Sequence, residues 1–87
     1  MTSVATQVMT TVNAPYGAEL SAHQLAAMIA DPKSASDFNA PVFAFFSEVP
    51  TALQEEFIDD MGVDQKQVCK VASQLSKASG YALPLVA

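Results

Sequence analysis

The chain has 87 residues, which is room for one hydrophobic core and excludes a multi-domain enzyme. Hydrophobic residues make up 51% and charged residues 15%, too apolar for disorder throughout, yet no run approaches the roughly 18 apolar residues of a membrane span. Nine carboxylates against four lysines and no arginine set the net charge at −5, which opposes nucleic-acid backbones and anionic lipid surfaces.

Lys33, Lys66, Lys70 and Lys77 are point cations without the bidentate fork that favours phosphate recognition. A single cysteine, Cys69, closes no intramolecular disulfide, so a reducing, cytoplasmic setting is expected. Residues 1–12 carry no lysine or arginine and no continuous apolar block, and so do not read as a secretory signal.

Val4, Val8 and Val12 share a face either as a helix or as a strand. The interleaved Thr6, Thr10 and Thr11 favour extended structure, because β-branched side chains fit a pleated surface better than a helix. Residues 1–18 are accordingly left as an unassigned, extended or mobile segment ahead of a helical domain at 19–80 and an apolar tail at 81–87. The domain reads as an all-α bundle of about four short helices.

Ser21 and Gln24 form the capping-box pattern that starts the first of these, with Leu20 and Leu25 as a hydrophobic staple. Leu25, Met28 and Ile29 make its apolar face, and Pro32 ends it by Asp31. Lys33 to Phe38 reads as a polar connection. Asn39 caps the second helix, with Pro41 in the first turn where no amide is needed. Val42, Phe45, Phe46 and Val49 then recur at helical spacing, and Phe43 points elsewhere.

Thr51 with Gln54 repeats the capping-box pattern and opens a third helix. Leu53, Phe57, Ile58 and Met61 face inward there, while Glu55, Glu56, Asp59 and Asp60 face water. Gly62 stops it, and Val63 folds back on Phe57 or Ile58. Asp64 caps the fourth helix with Gln67 completing the box, Val68, Val71, Ala72 and Leu75 form the buried stripe, and Gly80 ends it. The short link at Gly62–Val63 implies that the third and fourth helices are antiparallel or sharply angled neighbours.

The chemistry of the side chains is sparse, so no catalytic site, cofactor or metal is expected. His23 falls in the first turn of the first helix and reads as solvated. Cys69 reads as a small buried thiol, with Lys66 and Lys70 the nearby cations that could activate it. The Glu55, Glu56, Asp59, Asp60 and Asp64 cluster lacks the alternating loop spacing and central glycine of a calcium loop, and reads as a solvated acidic face.

The alanine-rich helix, Asp37-Phe38 and phenylalanine-rich helix between Leu20 and Val49 resemble the metal-free first helix pair of parvalbumins. No calcium loop follows, and no function is carried over. Tyr81, Ala82, Leu83 and the Val86-Ala87 ending resemble bacterial C-terminal degradation signals, interrupted by Pro84. That resemblance implies a short-lived regulator.

These features point first to a non-enzymatic acidic interaction module, an inhibitor or regulatory subunit that meets a basic protein partner. Its expected contacts are Glu55, Glu56, Asp59 and Asp60 with Leu83, Leu85, Val86 and Ala87 of the tail. Two other readings stay open. One is the precursor of a ribosomally made modified peptide, which the leader-plus-core layout resembles. The other is a carrier enclosing an apolar ligand between Phe43, Phe46, Phe57 and Met61. Narrow apolar stripes on short helices also leave room for a homodimer.

Overall fold

Ser3 opens the first helix: its Oγ accepts from the Thr6 amide at 3.1 Å, satisfying one of the donors that a helix start leaves unpaired. The computed structural model describes residues 3–35 and 39–80. Within them lie α1 (Val4–Asn13), α2 (Ala22–Ile29), α3 (Ala40–Glu48), α4 (Thr51–Met61) and α5 (Gln65–Ser79), with 3₁₀ turns at Ala14–Tyr16 and Pro32–Ala35. No strand occurs among the described residues, and the fold is all-α.

The expectation of an extended N-terminal segment is corrected by α1. Its threonines fit a helix because the Thr10 and Thr11 hydroxyls donate to the Thr6 and Gln7 carbonyls one turn back, at 2.9 and 3.0 Å. Val8 and Val12 lie on the side opposite Thr6 and Thr10 and are fully buried, and α1 packs against α3, α4 and α2. Tertiary burial thus overrides a weak local preference for strand.

The exit from α1 is held by one side chain. Asn13 donates through Nδ2 to the Leu20 carbonyl at 2.9 Å and accepts through Oδ1 from the Leu20 amide at 3.3 Å, so a single amide closes the intervening loop. Helix α2 then starts at the expected capping box, with Ser21 Oγ accepting from the Gln24 amide and Gln24 Oε1 accepting from the Ser21 amide. The stretch expected as a polar connection instead begins with the 3₁₀ turn Pro32–Ala35, which packs on α5. Its later part, with Asp37 and Phe38, lies outside the described residues. Asn39 caps α3 as expected, its Oδ1 accepting from the Val42 amide at 3.1 Å.

At α4 the expected Thr51/Gln54 capping box does not form. Pro50 holds the cap position with no side-chain bond, and Thr51 is the first helical residue. Gln54 is turned inward and fully buried, and its Nε2 donates to the Phe45 and Val49 carbonyls at 2.9 and 3.0 Å, with the Phe46 carbonyl at 3.4 Å. The reason is position: Gln54 shares a face with Phe57, Ile58 and Met61, so it meets the carbonyl end of α3 rather than its own backbone.

Gly62 ends α4 at φ 68°, with the Gly62 and Val63 amides donating to the Asp59 and Ile58 carbonyls, both at 3.2 Å. Val63 folds back to lie half-buried against the core cluster that contains Phe57 and Ile58. Asp64 caps α5, but through the Lys66 amide at 2.9 Å and without Gln67. The two helices do not form a side-by-side hairpin. Helix α4 packs on α1 and α2, whereas α5 packs on α2 and the second 3₁₀ turn.

Phe45 sits at the centre of the core, its ring edge-on to Phe46 at 5.2 Å and tilted against Phe57 at 5.6 Å. All three are fully buried, each contributing about 1.5–3 kcal/mol. Phe43 is half-buried and packs on the rim of the same cluster.

Candidate functional site

The acidic face of α4 is assembled by the same register that buries Phe57 and Ile58. Because those two residues and Gln54 turn inward, Glu55, Glu56, Asp59 and Asp60 are left on the outer side, and all four are exposed. Glu55 faces Asp59 and Glu56 faces Asp60 one turn on, like-charge neighbours that cost about 0.2–0.5 kcal/mol per pair. Asp59 and Asp60 also occupy the last turn, where the negative end of the helix dipole disfavours a further anion. Among the described residues no ion pair neutralises any of the four. The surface is therefore an uncompensated concentration of negative charge, placed where the helix itself gains nothing from it.

The four expected tail contacts, Leu83, Leu85, Val86 and Ala87, lie outside the described residues, as does the rest of the degradation-signal likeness from Tyr81 onward. His23 stands exposed in the first turn of α2. Cys69 is half-buried against the core rather than fully enclosed, and Lys66 and Lys70 are exposed. Among the described residues no three His, Cys, Asp or Glu side chains converge as metal ligands, and no helix is long and apolar enough to cross a membrane.

Of the four residues named for an apolar ligand, Phe46 and Phe57 are fully packed, while Phe43 and Met61 sit half-buried at the edge. An open groove of about 490 Å³ lies elsewhere, between α1 and the start of α2, lined by Ala5, Met9, Thr10, Asn13, Ala18 and Ala22 among others.

One contact had no local sequence signal. The Tyr16 hydroxyl donates to Glu48 Oε2 at 3.3 Å, joining the first 3₁₀ turn to the end of α3 across 32 positions of chain. Tyr16 is 46% exposed and its hydroxyl titrates above the ordinary value of 10.0. Loss of water around the phenol is the leading cause, followed by the charge and hydrogen bond of Glu48. Comparison with protein-family models, with characterised proteins and with solved structures gives no match for this chain.

Proposed function

We propose that this chain is a non-enzymatic interaction module, a cytoplasmic inhibitor or regulatory subunit, that docks a basic protein through the acidic face of α4. The observation that carries the reading is the placement of Glu55, Glu56, Asp59 and Asp60. All four are exposed and unpaired among the described residues, they stand one turn apart in like-charge pairs, and Asp59 and Asp60 lie in the last turn, where they weaken the helix. Solubility alone is served by carboxylates anywhere on the surface. A cationic partner relieves the repulsion within the cluster, and complementary charge of this kind mainly accelerates encounter.

The test is affinity capture from the source organism with the full chain, in parallel with an E55Q/E56Q/D59N/D60N variant. The partner retained by the first and lost by the second should associate at a rate that falls steeply as salt rises, since surface charge is screened beyond about 8 Å at physiological ionic strength. An association rate indifferent to salt, or a partner held equally by the variant, overturns the acidic-face mechanism.

A further inference from the structure

The negative net charge conceals a basic stripe. Lys66, Lys70 and Lys77 all stand on α5, which has no carboxylate between Gln65 and Ser79. At about 100° per residue they project within an arc of about 40° and extend along about 16 Å of helix. All three are exposed, on the side opposite the buried Val68, Val71, Ala72 and Leu75. The remaining cation, Lys33, is exposed on the 3₁₀ turn that packs on α5, so all four lysines belong to this one unit. Next to it in sequence, Asp64 accepts from the Lys66 main-chain amide as the cap of α5, and Asp31 accepts from the Lys33 main-chain amide. The helix dipole favours Lys77 in the last turn but disfavours Lys66 in the first, so helix stability does not account for the whole stripe.

Helix α4 carries the complement: four carboxylates and no lysine. Glu55 with Asp59, and Glu56 with Asp60, repeat the one-turn spacing of Lys66 with Lys70, about 5–6 Å. The two helices both pack on α2 but not along each other, and among the described residues no ion pair joins them. Opposite charges of matched spacing are thus held apart within one molecule.

We infer that the lysine stripe of α5 docks on the acidic face of α4 in a second copy of this chain. This rests on the reading of α4 as a docking face and names its occupant. Used once per pair the contact is heterologous and can extend. Used twice, reciprocally, it closes a two-fold dimer. The net charge of −5 on each copy opposes approach, but it is spread over the whole molecule and is screened more strongly than touching pairs. The association is weak and depends on concentration.

The experiment is sedimentation velocity on the full chain, on K66Q/K70Q/K77Q and on E55Q/E56Q/D59N/D60N, with circular dichroism to check that each is folded. In about 0.1 M salt the wild-type mass should rise above one chain with concentration, and in about 1 M salt it should return to one chain. Each variant alone should remain single. Their equimolar mixture should recover a two-chain mass, because each supplies the patch that the other lacks. A wild-type chain that stays single at every concentration, a variant that associates like wild type, or a mixture that stays apart overturns the inference. A lysine-rich peptide separates this from the parent reading. If the peptide binds K66Q/K70Q/K77Q while wild type stays single, α4 remains a docking face and a second copy is not its occupant. If it binds none of the proteins and the chain stays single, both readings fall.

Discussion

The side-chain amide of Gln54 in α4 donates to the main-chain carbonyl of Phe45 in α3 at 2.9 Å, so one helix supplies the C-terminal cap of the other. The same Nε2 reaches Val49 at 3.0 Å, and Oε1 is buried with no hydrogen-bond partner among the described residues. Helices α3 and α4 do not pack along each other, so this amide is the polar link that sets their corner.

Replacing Gln54 by Ala strands those carbonyls and leaves a void. The expected loss is about 2–4 kcal/mol, which lowers Tm by about 10–25 °C in a domain of this size. Q54E keeps the shape but can fit only as the neutral acid, which raises its folded pKa above the unfolded value of about 4.3. Its stability is therefore fully present below about pH 4.3 and declines with rising pH by about 1.4 kcal/mol per unit up to the folded pKa. Urea unfolding of Q54E at acid and neutral pH, each referenced to wild type, should show the gap widening toward neutrality. A pH-independent gap refutes the buried-amide role.

Helix α1 is a structural keystone, since Val8 and Val12 are fully buried and α1 packs on both α3 and α4. V8A and V12A should each cost about 1.5–3 kcal/mol in denaturant unfolding. T10A, on the exposed side, should be close to neutral. Equal effects at all three positions would contradict the packing.

The two capping-box patterns separate cleanly in a mutational test. S21A removes a formed cap and should cost about 1 kcal/mol, whereas T51A removes none and should cost less than about 0.5 kcal/mol. Thermal unfolding of the two single variants side by side makes the comparison.

In a Y81F background, ultraviolet titration of the remaining phenol reads Tyr16 alone. The E48Q change should lower its midpoint by removing the adjacent negative charge. Because the folded pKa is raised, the stabilisation by this contact is fully present below pH 10 and is lost as pH rises through the folded value. An unchanged midpoint in E48Q would show that Glu48 does not act on the phenol.

Relieving the crowding on α4 should trade binding for stability. D59N/D60N is expected to raise the unfolding free energy by about 0.5–1 kcal/mol, through weaker like-charge repulsion and a better match to the helix dipole. The same change should slow capture of a cationic partner. A variant less stable than wild type would mean that the cluster is internally compensated.

Sequence alone determined the features that depend on neighbours within one turn. Ser21, Asn39 and Gly62 mark helix ends through backbone groups three to five residues away, and the stripes at Val42–Val49 and Val68–Leu75 follow from the helical period. The exposed carboxylates of α4 were legible for the same reason: once Phe57 and Ile58 turn inward, Glu55, Glu56, Asp59 and Asp60 have only the outer side left. Only the tertiary structure decided the rest. Whether Val4–Asn13 is helix or strand depended on which surface covers Val8 and Val12, and Gln54 was diverted from its own helix start by carbonyls nine and five residues upstream. The Tyr16–Glu48 bond and the separation of the α4 and α5 charges belong to the same class, because each depends on how helices pack at a distance, which local spacing does not encode.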